Sequence, residues 1–416
     1  MKELLRNRQF ILYWLVGVSS LLAVIALEFA VSLYAFDLTG SALLFGSILA
    51  AVLVPRLLLT PFAGVISDRF NRKTIMLVSL AFSTVILMLG VLIQAVTAGM
   101  SLVVLFAFVL LLEAGSILFS SANAAVLPLI VEKDRLGAAN SLCSVYSELS
   151  YVVGPLIGGI VYGLFGFAFS LLAVTISLVL SIVVLCFIAL PKTPKTSHSQ
   201  SRNKTSVFHD MKQGFSIIFS NRLLGYLLIA GPFLLNFFNV PIFDLILVFF
   251  VRGSLGVSPE GYGMFTALLA VGGVVCSLIA GKLYSDRRAL AFVKVMPLLV
   301  AGGMLFILLT VNGTQFMPYA VLLGITFLAC SVISAVVGLF GIAQNTIAQK
   351  NVDIDALSRV LSIKRLCALT AVPLGNLAFG AIVESVGLGF SVLISIIGII
   401  GLFVLSRVLS PDEFTA

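Results

Sequence analysis

Of 416 residues only 10% are charged and 60% are hydrophobic, a charged share far below the roughly 25% of a soluble domain, which excludes a water-soluble globule. The net charge of +8 calls for no nucleic-acid partner, because the basic residues sit in the polar breaks between apolar runs. A helix needs about 20 apolar residues to cross the hydrocarbon core, and the chain supplies many such runs in succession, the pattern of an all-α, multi-pass integral membrane protein.

Apolar runs read against polar punctuation predict twelve transmembrane helices, at 10–36, 42–66, 74–97, 101–131, 137–163, 166–190, 223–251, 260–281, 291–312, 316–346, 358–383 and 387–408. The first run is too long for a signal-peptide core and is followed by no small-residue cleavage pattern, so it reads as a retained span. With the N-terminus placed in the cytoplasm, 23 of the 25 lysines and arginines fall on the inner side. The two exceptions are Arg252, in an outer loop, and Arg56, inside the second helix. An odd helix count would scramble that partition, so both termini are expected in the cytoplasm of a cell-membrane protein.

The stretch 191–222 opens as a Pro/Ser/Thr/Lys-rich tether and becomes FHDMKQGFSIIFSNR, in which Phe208, Met211, Phe215, Ile218 and Phe219 recur at helical spacing. An interfacial amphipathic helix has this pattern. It divides the chain into an N-terminal six-helix bundle (1–190), a cytoplasmic linker (191–222) and a C-terminal six-helix bundle (223–416). The halves are weakly similar: SALLFG at Ser41 can be laid on SPEGYG at Ser258, and GVISDR at Gly64 on GKLYSDR at Gly281 with a one-residue slip. Internal repeats of this kind are a mark of transporters.

The decapeptide GVISDRFNRK, between the second and third helices, concentrates charge in an otherwise apolar chain. Gly64 is suited to close helix approach, and Asp68 to accepting hydrogen bonds from a helix N-terminus or pairing with an arginine. Arg69, Arg72 and Lys73 suit the anionic inner leaflet, each worth about 1 kcal/mol there. In the fifth helix GPLIGG places Gly154, Pro155, Gly158 and Gly159 where small residues permit tight packing and proline frees a carbonyl and bends the helix. Ser144, Glu148, Tyr151, Pro155, Gly158 and Tyr162 share one face of it.

An acidic side chain at the bilayer centre costs about 2.5–3.5 kcal/mol on insertion scales, so each intramembrane carboxylate needs a partner or a task. Glu113 and Glu148 lie at mid-depth in the fourth and fifth helices, and Glu28 and Asp244 in near-equivalent outer positions of the first and seventh, a candidate pseudo-symmetric pair facing one cavity. Glu113, Ser116, Ser120 and Asn123 form a polar stripe spanning about 80° of the fourth helix. The four carboxylates are candidates for proton coupling, loading a proton in alternation with a cationic or polar substrate. Arg56 is a candidate for a buried ion pair with one of these acids. Asn123, Asn236, Asn239, Gln344 and Asn345 are cavity candidates whose alternative is helix-to-helix hydrogen bonding. Phe237, Phe238 and Phe243 suit an apolar ligand or simple packing.

At these motifs the chain resembles the major facilitator superfamily. GxxxDRxxRK matches that superfamily's signature between helices 2 and 3, and GPLIGG is similar to the core of its drug-antiporter motif. TGS after the first helix, AANSL at the fifth, and FxDMKQGFxxIFSNRLL in the linker look like the branch of macrolide and siderophore exporters. The resemblance implies two six-helix bundles, a latch at Gly64, Asp68, Arg69, Arg72 and Lys73 that holds the outward-open state, and outward transport of an amphiphilic, drug-like or macrolide-like compound by proton antiport. It also implies a role in multidrug or macrolide resistance. One departure stands out: the fourth helix reads LLLEAGSIL and lacks the arginine of many drug antiporters. A lipid or siderophore exporter, and a membrane sensor that does not transport, are the alternatives.

Enzymatic activity is not expected, since no intramembrane histidine or Ser/His pair is available. His198 and His209 lie in the linker, and Cys143, Cys186, Cys276, Cys330 and Cys367 form no CxxC pair, so neither a metal site nor a disulfide framework is expected. The proton gradient is the expected energy source in place of a cofactor, a small molecule and the lipid bilayer are the expected partners, and the chain is expected to be monomeric.

Overall fold

The computed structural model describes residues 4–97, 99–189, 213, 215–219, 222–283, 286–352 and 354–407. These are almost entirely helical, because a chain in hydrocarbon must satisfy its backbone polar groups internally. The helices are α1 (Arg8–Thr39), α2 (Ala42–Ala51, continuing as Leu53–Arg69), α3 (Arg72–Thr97) and α4 (Leu102–Ala124), then α5 and α6 within Leu136–Cys186. They continue with α7 (Arg222–Ser254), α8 (Pro259–Leu283), α9 (Asp286–Asn312), α10 (Tyr319–Asn351), and α11 and α12 within Ile354–Arg407.

The two longest stretches are helix pairs joined at a single glycine. Gly166 (φ 80°) separates α5 from α6 and Gly387 (φ 83°) separates α11 from α12. Only glycine takes these torsions without a Cβ penalty, so the chain bends at the same place in each half of the sequence. With those two junctions counted, the described residues contain the twelve helices expected.

Helix ends follow local chemistry. The Asn7 side chain accepts from the N–H groups of Gln9 and Phe10 to cap α1, which closes at Gly40 (φ 57°); Ser101 caps α4 through the N–H of Val104. The break in α2 at Val52 departs from the continuous helix expected at 42–66. Pro55 has no N–H for the Ala51 carbonyl, and the bond from Arg56 N–H to Val52 O is stretched to 3.3 Å. In α7, π-helical turns occupy Tyr226–Ala230, Ile242–Ile246 and Val248–Ser254, flanking Pro232 and Pro241, which likewise withdraw donors from the ladder.

Tertiary contacts divide the chain into two units. One comprises Met1–Gly40, Ala51–Thr196 and Ser258–Leu268; the other Ser41–Ala50, Ser197–Val257 and Leu269–Ala416. Against the bundle limits read from sequence, the first ten residues from Ser41 and the first eleven from Ser258 are exchanged. In the first unit α1 packs along α5, with Trp14 Nε1–H donating to Leu142 O at 3.1 Å and the Trp14 ring edge-on to Tyr146. In the second, Phe237 and Phe238 of α7 meet Phe379 of α11 in edge-to-face pairs. Of the three phenylalanines offered as ligand contacts, these two are therefore packed against protein.

Most of the linker lies outside the described residues, including Phe208, Met211, His198 and His209, while 215–219 is helical with Phe215 and Phe219 stacked.

Candidate functional site

Arg56 of α2 stands at the centre of a group of polar residues in the first unit. Its Nε–H donates to Glu113 Oε1 at 2.6 Å, an ion pair linking α2 to α4, with the side chains 35% and 10% exposed. Glu28 of α1 lies within electrostatic reach of Arg56, as does Tyr151 of α5, and Tyr151 in turn faces Glu28 and Glu148. Glu28, Glu148 and Tyr151 are exposed on their helices. The result is one guanidinium among three carboxylates and a phenol drawn from four helices.

Asn123, further along the same stripe of α4 as Glu113, accepts the Tyr13 hydroxyl on its backbone carbonyl at 3.3 Å, while its buried side-chain Oδ1 has no partner among the described residues. In α5 the glycines of GPLIGG are occupied by neighbouring backbone. A Cβ on Gly158 would stand 2.5 Å from Ala26 O, and one on Gly159 would stand 2.9 Å from Gly263 Cα; at Gly154 it would meet Ile25 at 2.6 Å. Pro155 O in turn faces Gly263. The motif is thus the seam on which α1 packs and on which the Ser258–Leu268 segment packs within the same unit.

The second unit repeats this seam. Gly46, in the segment from Ser41, lies against Asn376 O and Gly380 of α11, and Gly380 lies against Ala42 O. Gly46 and Gly263 are the residues that SALLFG and SPEGYG place in register. Both segments are capped alike, with Ser41 Oγ accepting from Leu44 N–H and Ser258 Oγ from Gly261 N–H, each at 3.3 Å. Glu384 adds a second cap, accepting from Ala42 N–H at 2.8 Å and from Ser41 Oγ at 3.1 Å.

Asp244, in a π-helical turn of α7, accepts from Asn376 Nδ2 at 3.0 Å. It belongs to the second unit and Glu28 to the first, each with its own partners. Asn239 and Gln344 are buried, with Asn239 Oδ1 and Gln344 Nε2 unpartnered among the described residues. Asn236 is turned onto its own helix, donating to Pro232 O at 2.6 Å, and Asn345 accepts from Lys364 Nζ at 2.7 Å.

The described part of the GVISDRFNRK turn shows how Gly64, Arg72 and Lys73 are placed. Gly64 is exposed, and a Cβ there would meet nothing within 4 Å among the described residues; in α2 a close approach occurs at Gly46. Arg72 and Lys73 act on helix ends as well as on any lipid: Arg72 Nη1 donates to Ala125 O at 3.0 Å, and Lys73 Nζ to Cys186 O and Ile188 O, both at 2.7 Å. Cations suit those carbonyl ends, where the helix dipole is negative. The side chains of Asp68 and Arg69 lie outside the described residues.

Two residues of evident structural weight were missed in the sequence: Asn376 and Glu384. Both are polar breaks in the apolar run LGNLAFGAIVES, and that isolation was the available signal.

Known proteins match the chain along nearly its whole length. Macrolide efflux protein A of Streptococcus pyogenes is 22% identical over 392 residues, covering 93% of this chain and 92% of that one. An uncharacterised MFS-type transporter of Bacillus subtilis, YfiS, is 25% identical over 401 residues, covering 94% and 91%. Among solved structures, a point mutant of the nucleoside transporter NupG superposes with a TM-score of 0.74 at 12% identity, covering 96% of this chain and 99% of the other, a likeness of fold. The family model of the Major Facilitator Superfamily matches residues 13–367, and with this twelve-helix architecture the chain belongs to that superfamily and is a multi-pass membrane transporter.

Proposed function

We propose that the protein is a secondary exporter that moves an amphiphilic, macrolide-like organic compound out of the cell in exchange for protons, by alternating access, with both termini in the cytoplasm. The cluster at Arg56 carries this reading. Glu113 pairs with Arg56, Glu28 lies within electrostatic reach of the same guanidinium and Glu148 within reach of Tyr151, so the site concentrates carboxylates that a cationic amphiphile can neutralise. Protonation of an intramembrane carboxylate in alternation with substrate binding is the physical content of antiport. The likeness to macrolide efflux proteins supports the substrate class, and the positive-inside bias of the loops supports the orientation.

Expression in a macrolide-sensitive bacterium tests it. Cells carrying the protein should accumulate less labelled macrolide than control cells, and a protonophore should erase the difference. Equal accumulation in both, with the protein present in the membrane, would refute the substrate class; a difference that survives the protonophore would refute the coupling.

A further inference from the structure

We propose that Asp244 and Asn376 form the site at which the transported proton is loaded, with Asn376 as the positioning residue. This rests on the antiport reading but assigns its proton to the second unit rather than to the Arg56 cluster. Protonating Glu113 would strand the half-buried guanidinium of Arg56, whose Nε–H it accepts at 2.6 Å, and a stranded charge is costly. Asp244 carries no such obligation, since among the described residues its only donor is a neutral amide. Asp244 is itself half-buried, and its neighbours in the chain, Ile242, Leu245 and Ile246, are fully buried. Among the described side chains, the other charged groups on α7 and α11 are engaged elsewhere or distant: Glu384 lies two turns along α11 and holds Ser41 and Ala42, Lys364 and Arg365 lie three turns the other way with Lys364 holding Asn345, Arg252 lies two turns along α7, and Arg222 stands at the start of α7. The segment from Ser41 to Ala50 carries no charge, nor does α12 before Arg407.

The amide itself points to a proton. Asn376 is 2% exposed, and while Nδ2 donates to Asp244 Oδ2, its Oδ1 is buried and unpartnered among the described residues. A carboxylate has no hydrogen to offer that acceptor. A carboxylic acid does: once Asp244 is protonated, its O–H can donate to Asn376 Oδ1 while the second oxygen keeps accepting from Nδ2, a cyclic acid–amide pair in which Oδ1 gains the partner it lacks. The neutral form therefore gains a bond that the charged form lacks, with no counter-cation stranded. The step is a reversible proton transfer between water and the Asp244 carboxylate, forming and breaking one O–H bond. Asp244 lies in the π-helical turn from Ile242 to Ile246, and from there its carboxylate meets Asn376 of α11.

Infrared difference spectroscopy on the purified, substrate-free protein reads the site directly. Acidification of the wild type should produce a carboxylic-acid C=O band that Asp244→Asn lacks, and Asn376→Leu should move the midpoint pH of that band by about one unit, a tenfold change in proton affinity. A wild-type spectrum indistinguishable from that of Asp244→Asn, or a midpoint unmoved in Asn376→Leu, would overturn the assignment. If Asp244→Asn fails to fold, Asn376→Leu and Asp244→Glu, which should retain the band at a shifted midpoint, carry the test. In vesicles, Asp244→Asn should retain macrolide exchange without a pH gradient and lose gradient-driven pumping. Pumping at the wild-type rate would overturn the proposal, whereas absence of any macrolide flux in the wild type would overturn the transport reading and leave the infrared result standing.

Discussion

Replacing Glu113 by glutamine removes the carboxylate that accepts Arg56 Nε–H at 2.6 Å and leaves a guanidinium that is only 35% exposed. Breaking a fully buried pair costs about 3–5 kcal/mol, and an exposed one about 0–1 kcal/mol. With Glu113 10% exposed, Arg56 about a third exposed, and Glu28 still within electrostatic reach of Arg56, the expected cost is about 2 kcal/mol. Arg56→Gln should cost a similar amount by orphaning Glu113. The double variant should be less destabilised than the sum of the two, with a coupling of about 1 kcal/mol or more, because it leaves no unpaired charge. Unfolding in detergent can be followed with a thiol-reactive dye, since Cys330 is fully buried until the fold opens. Strictly additive single variants would show that Arg56 and Glu113 are not energetically paired.

Further outcomes follow from the seams and caps. Gly158→Leu should drive α5 off α1, because even a Cβ would stand 2.5 Å from Ala26 O; a loss of about 1–3 kcal/mol is expected, read as lower folded yield by size-exclusion chromatography. Gly64→Ala, with open space around it, should leave that yield unchanged, and a large loss would contradict its assignment as uncontacted. Glu384→Ala should weaken the cap on Ala42 N–H by about 1 kcal/mol and speed hydrogen exchange at 42–45, while exchange in α4 stays as it was. Lys73→Met should remove the donor to Cys186 O and Ile188 O and destabilise the end of α6 by about 1 kcal/mol, seen as faster alkylation of Cys186.

Hydrophobic run length and the placement of lysine and arginine were enough to read twelve helices, because the bilayer imposes both constraints locally along the chain. The superfamily was legible for the same reason: Gly64 to Lys73 and GPLIGG are short, contiguous motifs. Pairings were not, since they join residues distant in sequence; Arg56 was seen to need an acid, but its choice of Glu113 over Glu28 depends on how α2 and α4 meet. The break at Val52 was readable in principle from Pro55, whose missing N–H acts one turn back. The close approach at Gly46 was not legible, because a small residue permits close approach without requiring it and only helix packing selects which glycine is used. Asn376 lay hidden in a run of apolar residues whose helical face could be assigned only once α7 was in place beside α11.

The most direct test is transport by the purified protein in proteoliposomes with an imposed pH gradient. Proton antiport predicts that labelled macrolide accumulates against its own gradient when the lumen is acidic, and that a protonophore releases it. Equal uptake with and without the pH gradient would contradict proton-driven export.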